Sequence, residues 1–180
     1  MAELVEQRYA GALFEVSQHL KKEDQFLNEL NFVNDSLKQN PDLMKVLSAP
    51  MISKNEKKEL IETIFSSSLS QELINFLKIL IDKDRISAIF EIAEEFEKSL
   101  DKARNIKKIT AIAAVELSED IKQKLTEKLK AVTGSTVILN TLTDPSVIGG
   151  IMLKIGNEQI DGTVKGRLES LKREISSIIA

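Results

Sequence analysis

The chain has 180 residues, of which 42% are apolar and 29% charged, with a net charge of −3. This is enough apolar material for one large domain or two small ones, and the acidic balance lacks the basic stripe of a nucleic-acid binder. The absence of cysteine excludes disulfides and thiolate metal sites, and no segment approaches the roughly 18 consecutive apolar residues of a membrane span. The acidic opening, Met1 to Gln7, has neither the basic flank of a secretory signal nor the arginine-rich character of a transit peptide. It reads as a soluble chain kept in a bacterial cytoplasm, with no direct membrane insertion.

Residues 1 to 104 read as helix throughout. A first helix spans Glu3 to His19. A second carries Phe26, Leu30, Val33 and Leu37 at helical spacing and is stopped by Asn40-Pro41-Asp42. A short third segment, Leu43 to Leu47, is closed by Ala49-Pro50. Ser53 and Glu56 form a capping box that opens a fourth helix, since each side chain can satisfy a free amide of the first turn. Ser70 is placed to cap a fifth, Gln71 to Asp82, and a sixth aligns Ile86, Ile89, Phe90, Ala93, Phe96 and Leu100. Six short helices with brief connections imply an antiparallel helical bundle.

Near Arg104-Asn105 the period changes. Ile106 to Val115 reads as a strand. Ser118 then caps a helix bearing Ile121, Leu125, Leu129 and Val132, which Gly134 closes. Thr136 to Leu142 is a second strand. Five of the chain's seven glycines follow, between Asp144 and Leu168. Asp144-Pro145 is a turn, and Val147 to Ile155 reads as a buried strand with Gly149-Gly150 as a bulge or close approach inside it. Gly156-Asn157 is a hairpin turn and Glu158 to Asp161 a return strand. Gly162 releases a last helix with Val164, Leu168, Leu171, Ile175 and Ile178 on one stripe. The expected architecture is α+β overall, an all-α six-helix bundle over 1–104 followed by a small α/β domain over 105–180.

The glycine-rich segment does not fit a phosphate loop, because Gly156 precedes Asn157 rather than a Lys-Ser or Lys-Thr pair. A dinucleotide fingerprint would need its glycines between a strand and a helix. His19 is the only histidine and has no nucleophile or second ligand spaced with it, so it reads as a surface residue at a helix end. Asp144 and Asp161 are accounted for by turns. No catalytic, cofactor-binding or metal-binding residue is expected.

One feature exceeds what packing requires. On the first helix Val5, Tyr9, Ala12, Val16 and Leu20 form a stripe, and Ala10 and Phe14 widen the apolar arc to roughly 200°, about twice what a bundle-surface helix needs. On the fifth, Leu73, Ile74, Leu77, Leu80 and Ile81 form the core face, while Phe76 and Ile79 project from the other side. This surplus either lies deep in the bundle or forms an exposed groove for a partner. Periodicity leaves both readings open.

Three segments resemble the delta subunit family of F-type ATP synthases, whose mitochondrial members are called the oligomycin-sensitivity-conferring protein. The most specific is C-terminal: Asp144, Val147, Gly149, Gly150, Ile155, Gly156, Ile160, Asp161, Gly162, Thr163, Val164, Gly166, Arg167 and Leu168 match in order. The others are Arg8-Tyr9-Ala10-Gly11-Ala12-Leu13-Phe14, and Asn75 to Ile81 followed by Arg85. The resemblance covers essentially the whole chain. It implies a non-catalytic stator connector, present once in a hetero-oligomeric complex on the cytoplasmic face of the membrane. The N-terminal domain would receive the N-terminal helix of an alpha subunit between the first and fifth helices, through Arg8, Tyr9, Ala12, Val16, Phe76, Lys78 and Ile79. The C-terminal domain would meet the b subunits of the peripheral stalk. The competing readings are a generic helical adaptor with an unrelated partner and a small phosphate-handling enzyme.

Overall fold

The computed structural model describes residues 2–156 and 158–168, and the backbone divides between Leu100 and Asp101 into two units. The first contains α1 (Ala2–Leu20), α2 (Glu23–Gln39), α3 (Pro41–Ser48), α4 (Lys54–Phe65), α5 (Gln71–Asp82), a 3-10 turn at Ile86–Ala88, and most of α6 (Ile89–Ala103). Apolar residues recurring every three or four positions set these helices together. Phe26, Leu30, Val33 and Leu37 of α2, Leu73, Leu77 and Leu80 of α5, and Ile89, Ile92 and Phe96 of α6 share one core. Edge-on aromatic contacts join it, Phe14 to Phe96 at 5.7 Å and Phe32 to Phe65 at 6.2 Å between ring centroids.

Helix boundaries reveal details that periodicity misses. Pro41 does not merely end α2. It occupies the first turn of α3, where its missing N–H costs nothing, so α3 starts two residues before Leu43. The capping box forms as expected: Ser53 Oγ accepts from the Glu56 N–H at 3.3 Å, and the Glu56 carboxylate accepts from the Ser53 N–H at 3.0 Å. Ser70 precedes α5, but its hydroxyl makes no cap. It donates instead to the buried Glu29 carboxylate at 2.6 Å, and the Ser70 N–H donates to the same oxygen at 3.0 Å. Ser118 likewise stands at the N-cap of its helix without a side-chain cap bond. The sixth helix opens with the 3-10 turn rather than as α-helix from Ile86.

Two helices of this unit end on left-handed residues that are not glycine. At α1, Lys21 has φ 56 and the Lys22 N–H returns to Ser17 O. At α5, Asp84 has φ 53, and the N–H groups of Arg85 and Asp84 return to Leu80 O and Ile81 O. This paired return is the Schellman closure, made here without the residue that favours it.

The second unit is a four-stranded sheet ordered β2-β1-β3-β4, from β1 (Ile106–Ala113), β2 (Thr136–Thr143), β3 (Ile151–Ile155) and β4 (Glu158–Asp161). β1 and β2 run parallel, joined by α7 (Glu119–Thr133), whereas β3 is antiparallel to both β1 and β4. Ile109, Ala111 and Ala113 of β1 point to the face that Leu125 and Leu129 of α7 cover. Alternation leaves Ile112, with Met152 beside it in register, on the opposite face. The two halves therefore form an all-α bundle and a small α/β unit, α+β overall.

Two expectations about strands are corrected. β1 ends at Ala113, and Val115 beyond it is exposed. The strand expected over Val147 to Ile155 pairs only from Ile151, because Gly149 and Gly150 take left-handed conformations, φ 66 and 84, that no strand accommodates. A β-carbon on Gly150 would lie 2.5 Å from the carbonyl oxygen of Gly162 and 2.8 Å from Thr163 Cα. The glycine pair thus lets one backbone segment cross another. Hydrogen bonds seal the crossing, from Gly162 N–H to Ile151 O and from Val164 N–H to Gly149 O. Residues 164–168 are helical; Asn157 of the hairpin, and Leu171, Ile175 and Ile178 of the expected last stripe, lie outside the described residues.

Candidate functional site

The surplus apolar surface on α1 resolves into two faces. Ala10, Leu13 and Ser17 turn inward, with the Ser17 hydroxyl donating to Phe14 O at 2.7 Å. Of the stripe Val5, Tyr9, Ala12, Val16 and Leu20, Tyr9 packs partly against the core and the others turn outward. Val5 and Tyr9 are half-buried, Ala12 is exposed, and Val16 and Leu20 are 44% and 41% exposed. A neutral apolar row left open along a 19-residue helix is a surface that a second apolar face would remove from water.

α5 runs beside this row. Its core face, Leu73, Ile74, Leu77, Leu80 and Ile81, is buried as the spacing implies. Ile79 projects and is 48% exposed. Phe76 does not project. It is 8% exposed, with its ring edge-on to Tyr9 at 6.4 Å and 72°, closing the seam between the two helices. Lys78 turns toward α4, where its ammonium pairs with Glu62 at 3.1 Å.

At the N-terminal end of α1 the seam opens into a cleft of about 500 Å³ lined by Val5, Arg8, Tyr9, Ala12, Lys83 and Arg85. The cleft brings together Arg8, Tyr9 and Ala12 of the residues expected to form a groove. Val16, Phe76, Lys78 and Ile79 are not among those that line it. Lys83, which sequence reasoning passed over, sits between two aspartates in Asp82-Lys83-Asp84-Arg85 and so carried no net-charge signal. His19 is exposed at the end of α1 beside Glu15 and Gln18.

Several residues of the glycine-rich signature in the second unit hold its turns and close approaches. Asp144 Oδ1 accepts from the Ser146 N–H at 2.9 Å, and hydrogen bonding from Ser146 holds its carboxyl below the ordinary carboxylate value. Asp161 Oδ1 accepts from the Thr163 N–H at 2.8 Å, with the same downward effect from Thr163. Thr163, itself buried, accepts through Oγ1 from the Gly166 N–H at 3.0 Å. Gly156 turns the hairpin at φ 58, and the Arg167 N–H bonds to Thr163 O. Beside this crossing, a hollow of about 320 Å³ on the sheet face opposite α7 is lined in part by Ile112, Val147, Ile148 and Met152.

The described geometry is a helical unit with an open apolar row and a sheet unit in which Gly150 and Gly162 let two backbone segments cross. Comparison with known proteins gives the family. The sequence model described as ATP synthase delta (OSCP) subunit matches residues 5–175. The ATP synthase subunit delta of Clostridioides difficile (strain 630) is 40% identical over 181 residues, covering 100% of both chains. That of Alkaliphilus metalliredigens (strain QYMF) is 41% identical over 179 residues, covering 99% of each. In three dimensions, a chain of the Toxoplasma gondii mitochondrial ATP synthase hexamer shares the fold, with TM-score 0.70 over 97% of both chains at 19% identity. The chain belongs to the ATP synthase delta (OSCP) subunit family. No described helix is long and apolar enough to cross a membrane.

Proposed function

We propose that this chain is a non-catalytic connector in the stator of an F-type ATP synthase. It links the catalytic head to the b subunits of the peripheral stalk, one copy per complex, as a peripheral protein on the cytoplasmic face of the membrane. Residues 1–104 are the head-binding domain and 105–180 the stalk-binding domain. The observation that carries this reading is the outward apolar row of α1, from Val5 to Leu20, alongside exposed Ile79 of α5. An amphipathic helix, the N-terminal segment of the alpha subunit, lies in that groove and covers the row. Torque applied to the head would otherwise spin it with the rotor. A connector resists that through two moderate contacts on one chain, whose combined strength exceeds either alone.

Titrating the full chain with an alpha-subunit N-terminal peptide, alongside nucleotides in a thermal-shift assay, tests the reading. Saturable peptide binding without nucleotide stabilisation is expected. Stabilisation by a nucleotide with no peptide binding would favour a phosphate-handling protein instead.

A further inference from the structure

The groove is electrically lopsided, and its charge pattern is absent from the linear sequence. Asp82-Lys83-Asp84-Arg85 is neutral as written, yet the fold sorts its charges. Asp82 pairs with Lys58 at 2.6 Å and Asp84 with Lys54 at 2.7 Å, both lysines belonging to α4. The Lys54 ammonium also donates to Asp82 O at 2.6 Å, so the two acids are held against α4. Lys83 and Arg85 are thereby left facing the cleft, where Arg8 of α1 joins them. Among the described residues no carboxylate lines this cleft and none of the three cations is ion-paired. At the other end of the α1–α5 seam Lys22 is paired with Glu72 at 3.7 Å.

We infer that this cation triad recognises carboxylates at one end of the partner helix and so fixes the direction in which that helix lies in the groove. This rests on the reading of the groove as a helix-binding site given above. An apolar stripe alone fits a helix in either direction, because its anchors repeat every turn. Three cations at one end break that symmetry: the acidic end lies over Arg8, Lys83 and Arg85, and the other toward Leu20 and the Lys22–Glu72 pair. Cations at the end of α5 also suit its dipole, but that role would appear in the melting of the protein and not in binding.

The test titrates the full chain with the alpha-subunit N-terminal peptide and with a copy in which every Asp and Glu is replaced by Asn or Gln, at low and high salt. Wild type is compared with the triple variant Arg8→Gln, Lys83→Gln, Arg85→Gln. Neutralising either partner should weaken binding roughly tenfold at low salt, neutralising both should add little, and the salt dependence should vanish. Because the chain lacks cysteine, a fluorophore on Gln18→Cys reports direction. A quencher on the non-acidic end of the peptide should dim it, and one on the acidic end should not. If the triple variant melts lower than wild type, Arg85→Glu paired with a peptide carrying lysines for its acids must recover binding. Equal affinity and equal salt dependence for both proteins and both peptides would overturn the inference and leave the groove standing. Failure of the unmodified peptide to bind wild type would remove the groove and the inference with it.

Discussion

The helical unit and the sheet unit hold themselves together by different means. The bundle is governed by side chains: large apolar residues at helical spacing fill one core, and its helices end on whatever residue is present, Lys21 and Asp84 included. Among the described residues, the sheet unit's core is Ile109, Ala111, Leu129 and a few neighbours, and the unit depends on backbone geometry at the crossing of Gly150 and Gly162. A side-chain core tolerates altered backbone details and is damaged by lost volume. A backbone crossing tolerates little added volume.

The two mechanisms are separable by substitution. Phe96→Ala removes a fully buried ring that meets Phe14, and should cost about 4 kcal/mol, confined to the transition of residues 1–104. Denaturant unfolding of the full chain and of the 1–104 fragment checks this. Gly150→Val should cost about 3 kcal/mol in the second unit, because its β-carbon meets backbone that cannot step aside and its φ is left-handed. The same variant should bind the alpha-subunit peptide normally while losing the b stalk and ATP-driven ion pumping. If each substitution destabilises both units alike, the division into independent domains is wrong.

Lys21→Gly should stabilise the bundle by about 0.5 kcal/mol, since glycine adopts the left-handed closure of α1 without a β-carbon penalty. A rise in melting temperature is the expected result. The smallest effect concerns pH. Asp144 and Asp161 have depressed carboxyl pKa values in the folded chain, so they bind protons less readily there than when unfolded. Their stabilisation is complete above the ordinary carboxylate value of 3.8 and is lost as pH falls through the lowered folded values. Asp144→Asn with Asp161→Asn should flatten the acid limb of the second unit's melting curve and leave that of the bundle unchanged.

What the sequence revealed follows from the range of the forces involved. Periodicity located every helix of the bundle because apolar spacing along one element is local information. The Ser53–Glu56 box was readable for the same reason, both partners lying within one turn. Ser70 was misjudged because its partner, Glu29, is 41 residues away in sequence. The strand before Ile151 was extended too far because Val147 and Ile148 continue an apolar run, while the conformation of the glycine pair is set by Gly162 and Thr163. On the candidate site, the outward stripe of α1 was legible as surplus width. The burial of Phe76 by Tyr9 and the sorting of Lys83 and Arg85 from their neighbouring aspartates arise only when separate helices meet.

The central claim is that the open row on α1 receives a partner helix, and Ala12 is the position to probe. It is exposed, belongs to no core cluster, and lines the cleft together with Tyr9, Arg8, Lys83 and Arg85. Ala12→Asp would put a larger, charged side chain against the partner helix and beside the cations that would receive its acids, while leaving the free protein's core packing untouched. Calorimetric titration of the alpha-subunit peptide into this variant should show a loss of about 2 kcal/mol or more, roughly thirtyfold in affinity, at an unchanged melting temperature. Wild-type affinity for the Ala12→Asp protein would contradict the account.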